Sequence, residues 1–349
     1  MTATSRTRPT IATMLVTLLG FGAVLILAEG FLIPLAFALL MSFILLPVVR
    51  VMERWGAHRM IAAFTAILLI IGILALSIFL FATQIIALSR DFPDFQAKFT
   101  QILADATVFI NKNLNVVPDL KRDELLHRIN AAIVKSSGRW FTSMFSNTAS
   151  FAASLILTVV YLYLILIYRR GLTLAFTHFV APAKRAHAVE VFRSMQLVGE
   201  RYLLGVVMVI FIVGCLNSVG LWVIGIEHAL LFGFIAATLT IIPYIGTLIG
   251  ASLPMIYAFV TYDSLGMAFT IAVFFWSVQL LESNLITPKI VGGHLQINAL
   301  TSIMSIVIGA MVWGIPGMIL FLPLTAMFKV VCSEVPLLKP MGMLMGLKE

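Results

Sequence analysis

Charge is what this chain of 349 residues has least of: Asp, Glu, Lys and Arg make up 11% of it, against roughly 25% in an ordinary soluble domain. There is too little polar surface for a water-soluble fold. Only two cysteines occur, Cys215 and Cys332, far apart and each in or beside an apolar run, which argues against a disulfide framework or a thiolate metal site. Phosphate-cradling loops of the Gly-x-x-x-x-Gly-Lys-[Ser/Thr] type are missing, as are Gly-x-Gly-x-x-Gly after a strand, a His-Glu-x-x-His helix and a Gly-x-Ser-x-Gly elbow. With no ATP site of its own, the chain could drive uphill transport only by an ion gradient or a partner, and no cofactor or metal is expected.

What is present is hydrocarbon. Apolar residues make up 61% of the chain, mean hydropathy is +1.08, and the apolar residues come in runs of about 18 to 30, the length that crosses a bilayer core. The formal charge of +8 sits mainly in short segments between those runs, where the positive-inside rule places it, rather than in a nucleic-acid patch. The expected class is an all-α polytopic membrane protein. Six ordinary spans are predicted at about 11–28, 31–49, 61–88, 149–168, 202–224 and 265–281. Arg50, Arg54 and Arg59 follow the second span, and Arg169, Arg170, Lys184, Arg185, Arg193 and Arg201 follow the fourth. Both loops and the N-terminus are therefore expected to be cytoplasmic, with an outer turn at Glu29-Gly30.

Residues 90–148 form an external amphipathic segment, with Phe92, Phe95, Phe99, Leu103, Ala106 and Ile110 at helical spacing. Residues 182–201 read as an amphipathic helix along the cytoplasmic face. The chain thus divides into 1–89, 90–148, 149–201 and a transport region at 202–349.

Two apolar stretches, 229–261 and 299–331, break in the middle. The first is interrupted at Pro243-Tyr244-Ile245-Gly246, followed by Gly250 and Pro254. The second is interrupted at Gly314-Ile315-Pro316-Gly317, followed by Pro323. Each would be about 50 Å long as one helix, too long for the bilayer, and about 21 Å per half. A pair of opposed re-entrant hairpins fits those lengths, giving about eight hydrophobic segments in all. One kinked span each is the alternative, and loop charge favours hairpins. Paired broken helices point to a transporter's binding site.

Polar groups in lipid need a reason, and the densest set is Gln279, Glu282, Ser283, Asn284, Thr287, Pro288 and Lys289, leading to Gly292. Gln279, Glu282 and Ser283 share a helical face, and Pro288 is expected to end the helix at Thr287. Glu282 could bind a coupling proton or cation or accept hydrogen bonds from a polar solute; it could equally pair with Lys289 and serve only folding. Asn217 and Gln84 read as interhelical hydrogen-bond partners.

The run Leu281-Glu282-Ser283-Asn284-Leu285-Ile286-Thr287-Pro288-Lys289-Ile290-Val291-Gly292, then Trp313-Gly314-Ile315-Pro316-Gly317 and Leu322-Pro323-Leu324, resembles the C-terminal signature of the autoinducer-2 exporter family, the PerM-like permeases. Pro243-Tyr244-Ile245-Gly246 resembles that family's earlier motif. Ala299 departs from it, since relatives commonly carry Pro there, implying a looser start to the second hairpin. The resemblance implies a bacterial inner-membrane exporter or permease, assembled as a homo-oligomer such as a pentamer. It implies a small polar solute, autoinducer-2 among the candidates, or sodium/proton exchange. On this reading the partners are the lipid bilayer, the solute and a coupling proton or sodium ion, with no nucleic acid. The function expected is gradient-coupled alternating access around Glu282, Asn284 and Gln279, with the two hairpins meeting near the midplane. A cation/proton antiporter is the rival, a passive channel is second, and an embedded enzyme or scaffold comes last.

Overall fold

Backbone in lipid must satisfy its own hydrogen bonds, as helices or closed barrels do, and helices are what the described residues form. The structure, a computed structural model, describes residues 11–114, 122–242, 245–291, 297–336 and 338–346. Side chains within 106–149 lie outside the description. The helices are α1 (Ile11–Leu27), α2 (Glu29–Arg54), α3 (Arg59–Leu114), α4 (Arg122–His178), α5 (Arg185–Ile224), α6 (Ala229–Leu239), α7 (Ile245–Tyr262), α8 (Leu265–Leu281), α9 (Thr287–Ile290), α10 (Ala299–Glu334) and α11 (Lys339–Met345). Among the described residues no strand forms beyond one isolated bridge. Six helical stretches are long and apolar enough to cross a membrane: Glu29–Arg54, Arg59–Leu88, Ser150–His178, Pro182–Ile224, Leu265–Ile290 and Ala299–Glu334. The chain is an all-α polytopic membrane protein.

The chain folds as two interleaved compact units: Met1–Phe64, Ser154–Leu203 and His294–Glu349 make the first, Thr65–Ala153 and Leu204–Gly293 the second. The two broken segments fall in different units.

In the first unit, the turn expected at Glu29-Gly30 is absent. Ala28 has φ −98° and ψ 18°. Helical bonds run into it and out of it, from its own N–H to the Val24 carbonyl at 3.0 Å and from the Leu32 N–H to its carbonyl at 2.9 Å. One residue near the helical region bends an axis but cannot reverse it, so the first two expected spans form a single bent helix. A face running through Leu25, Leu32, Phe37, Leu40 and Phe43 packs on Trp313, Leu320 and Met327 of α10. Beside the bend, the Trp313 indole N–H donates to the Leu25 carbonyl at 2.9 Å.

The helix α10 breaks at Gly314 and folds back there as a hairpin. Gly314 has φ 62° and ψ −136°, a conformation essentially restricted to glycine. Gly309 and Gly317, on either side, bring their backbones together so closely that a Cβ on either would overlap the other's carbonyl. Pro316 falls in the first turn of the returning helix, where a missing N–H costs nothing, and Pro323 is fully buried in its middle. The returning arm, 315–334, has 20 residues, or about 30 Å, longer than the half-length expected from the sequence. Nor is the start of the hairpin loose at Ala299: Asn298 accepts from the Thr301 N–H at 2.8 Å and donates to the Leu344 and Gly346 carbonyls at 2.7 and 3.0 Å. This N-cap satisfies a first-turn N–H and ties the start of the helix to the C-terminal segment.

In the second unit, α6 and α7 form the other hairpin. Gly246 sits against the Leu239 carbonyl, and Gly250 would place a Cβ 2.8 Å from Ala236 Cα. Tyr262 ties the base of the hairpin to the end of α5, its hydroxyl 3.2 Å from both the Gly225 carbonyl and the Glu227 N–H. Helix α3 continues past its apolar stretch, which ends at Leu88, without a break to Leu114, and α4 already starts at Arg122, ahead of its own apolar stretch. The expected amphipathic segment is thus an extension of two spans. Phe95 stacks on Phe99 and Tyr257, at 6.0 and 6.3 Å between ring centroids. Lys98 Nζ donates to the Thr261 carbonyl at 2.9 Å, satisfying a terminal carbonyl of α7. Phe92, Leu103, Ala106 and Ile110 of the expected stripe lie outside the described side chains.

One further expectation is corrected. Residues 182–201 are not a separate surface helix, because no helix breaker lies between Arg185 and Ile224 and α5 runs unbroken through them.

Candidate functional site

Polar groups of the second unit converge where α5, the tip of the α6–α7 hairpin and the end of α8 line an open-sided cavity of about 400 Å³. Close packing places those elements. Gly233 of α6 rests against Ser218 of α5, and Gly214 and Gly220 of α5 receive the rings of Phe234 and Phe274. Small residues thereby bring the helices within touching distance. An apolar seam of Val209, Val213, Ala237 and Val278 closes one side.

Gln279 and Glu282 enter the cavity from α8, one turn apart; Asn217 enters from α5, and Thr240 and Thr247 from the two sides of the hairpin tip. The rest of the wall is apolar, with Leu248, Met255 and Phe275 among it. Among the described residues, Glu282 is the single ionisable one lining it. Asn217 is 2% exposed and its Oδ1 is buried with no hydrogen-bond partner. The expectation of an interhelical bond from Asn217 is therefore not met, and a buried amide oxygen left unpaired costs on the order of 1–3 kcal/mol. Thr240 donates to its own helix, to the Ala237 carbonyl at 2.7 Å, so its hydroxyl oxygen keeps acceptor capacity.

Three of the residues proposed from sequence stand apart. Ser283 and Asn284 are exposed and bonded locally: Asn284 Nδ2 donates to the Leu280 carbonyl at 2.8 Å and to Ser283 Oγ at 3.3 Å. Thr287 does not line the cavity. Regular α-helical spacing would group Gln279, Glu282 and Ser283, but Glu282–Ile286 is a π turn, a local widening that rotates the following side chains away. The same turn explains why Pro288 does not end the helix as expected. The Thr287 N–H reaches back to the Glu282 carbonyl, and the proline then falls in the first turn of α9, where its missing N–H goes unused. No ion pair joins Glu282 to Lys289 among the described residues; Lys289 is exposed.

Of the broken-helix residues, Gly246, Gly250 and Pro254 build the hairpin behind Thr240 and Thr247. Pro243, Tyr244 and Gly292 lie outside the described residues. Gly314, Pro316, Gly317 and Pro323 belong to the first unit and shape its hairpin. Gln84 lines a different cavity in the second unit, beside Glu227 and His228.

Comparison with known proteins places this arrangement. The model of the family described as AI-2E family transporter matches residues 15–336. YueF of Bacillus subtilis (strain 168) is 26% identical, over 85% of this chain and 82% of its own. The AI-2 transport protein TqsA of Escherichia coli (strain K12) is 24% identical, over 88% and 87%. PerM of the same strain is 26% identical, over 93% of each chain.

Proposed function

The chain belongs to the AI-2E transporter family, and from that premise we propose that it exports a small polar solute across the bacterial inner membrane, coupled to an ion gradient, through the cavity of the second unit. It is a transport protein rather than an enzyme. The observation that carries the reading is the grouping of Glu282, Gln279 and Asn217 around one cavity at the tip of a broken helix pair. One carboxylate, two amides and two hydroxyls in an otherwise apolar wall match a solute rich in hydroxyls and too small for extended apolar contact. Autoinducer-2, which TqsA is named for transporting, is such a solute. Broken helices supply the rest, because the start of α7 and the end of α6 present backbone dipoles beside Thr247 and Thr240. Glu282 would carry the coupling proton or sodium ion, with the hairpin moving as the gate.

A second reading rests on Glu282 alone: as the single ionisable group among the described residues of the cavity it could serve protons and cations by turns, giving a sodium/proton antiporter with no organic cargo. One experiment separates the two. Labelled autoinducer-2 is offered to inside-out vesicles with and without a proton gradient, for the natural protein and for Glu282→Gln. Accumulation that needs the gradient and falls at least about tenfold in the variant supports coupled export. Equal signals from natural, variant and protein-free vesicles remove this solute. Sodium-driven proton flux in those same vesicles, lost in Glu282→Gln, would then establish the antiporter.

A further inference from the structure

A second cavity, of about 720 Å³, lies wholly in the first unit, where α2 ends and α4 leaves its apolar stretch. Its charged wall is Arg50, Glu53 and Arg54 from α2 with Arg169 and Arg170 from α4; Leu46, Leu174 and Val189 are its apolar residues, with Thr173 and Gln196 also lining it. Arg169 and Glu53 form an ion pair that fastens the two helices, and Arg59 adds a bond from its Nη1 to the Ile167 carbonyl at 3.3 Å. Arg50, Arg54 and Arg170 have no carboxylate partner among the described residues. Four guanidiniums against one carboxylate leave a concave surface with strong uncompensated positive charge, and the planar fork of arginine matches phosphate oxygens.

Trp55, directly after Arg54 at the end of α2, fixes the level of this cavity: it is 82% exposed, and a bare indole beside arginines at the end of a membrane-crossing helix marks the boundary between hydrocarbon and water. We infer that this cavity binds the phosphodiester headgroup of an anionic phospholipid, the arginines holding the phosphate while the acyl chains lie along Leu46, Leu174 and Val189. A free phosphate ion would use the arginines and leave the apolar residues uncovered. Held there, the lipid would join the ends of α2 and α4, adding to the Glu53–Arg169 pair.

The test uses the full chain, delipidated in a neutral detergent and titrated with phosphatidylglycerol, phosphatidylcholine or inorganic phosphate, reading bound lipid by native mass spectrometry and Tm by thermal unfolding. Phosphatidylglycerol should bind and raise Tm; phosphatidylcholine, whose choline cation the arginines repel although its phosphodiester is the same, should bind at least about tenfold more weakly, and phosphate at matched concentration should not raise Tm. Arg50→Gln/Arg170→Gln should weaken phosphatidylglycerol binding about tenfold, and the control pair Lys184→Gln/Lys339→Gln, equal in charge removed, should change it by less than about twofold. Should the glutamine pair fail to fold, Arg50→Lys/Arg170→Lys keeps the charge without the fork and should weaken binding about threefold. Unchanged affinity in the arginine variants, equal weakening in the lysine control, or a phosphate response matching that of phosphatidylglycerol would each overturn the inference.

Discussion

The two helical hairpins close by the same device and serve different ends. In each, a pair of small residues brings backbone against backbone behind the tip: Gly309 with Gly317 in one, Gly250 with Ala236 in the other. The hairpin of the first unit is sealed with apolar groups; Trp313 at its tip spends its indole N–H on the Leu25 carbonyl, and Leu320 and Met327 lie in a wholly apolar cluster. The hairpin of the second unit has Thr240 and Thr247 at its tip and meets Asn217, Gln279 and Glu282 there. A broken helix pair therefore supplies geometry and exposed backbone dipoles, but neighbouring helices decide whether it becomes a site.

The largest effects should come from the shared device. Gly246→Val and Gly317→Val each drive a side chain into backbone that cannot yield, and each should cost more than about 3 kcal/mol, read as loss of monodisperse protein and of the thermal transition in detergent. A loss below about 1 kcal/mol at either position would show that its hairpin tolerates separation and that the two are not built alike. Gly314→Ala tests backbone alone, since the space around it is open and only its φ of 62° is demanding; a Tm decrease corresponding to about 1–3 kcal/mol is expected. Asn217→Leu sharpens the contrast in chemistry. It fills similar volume and removes an unpaired buried oxygen, so stability should stay within about 1 kcal/mol while solute transport in vesicles falls about tenfold. A large stability loss with transport per folded molecule intact would mean that Asn217 serves packing. The smallest effect is at the base of the second unit's hairpin, where Lys98→Met should lower stability by less than about 1 kcal/mol, because the bond to the Thr261 carbonyl is exposed.

Much of this was legible in the residue order. Hydropathy marked the membrane-crossing helices, and the Pro/Gly interruptions at 243–246 and 314–317 marked both hairpins, because lipid forbids unpaired backbone and leaves few ways to accommodate a break. Glu282 and Gln279 were legible as site candidates, being rare polar residues one turn apart. The errors arose where one residue's geometry decides. The bend rather than a turn at Ala28 depends on a backbone angle that Glu29-Gly30 does not reveal. The π turn at Glu282–Ile286 leaves Ser283 outside the cavity, although its sequence spacing from Gln279 suggested a shared face, and Asn284 lies outside with it. Asn217 was visible as a polar residue in a span, but its lack of a partner depends on what lies opposite.

The order of residues by itself determined the solvent of this protein, the helical class and the positions of the breaks, since the cost of placing charge or open backbone in hydrocarbon is local and large. Tertiary structure alone decided which polar groups share a cavity. That choice depends on the register of α5 against α6 and α8, set by contacts such as Gly233 on Ser218 and Phe274 on Gly220, between residues that no local pattern along the chain connects.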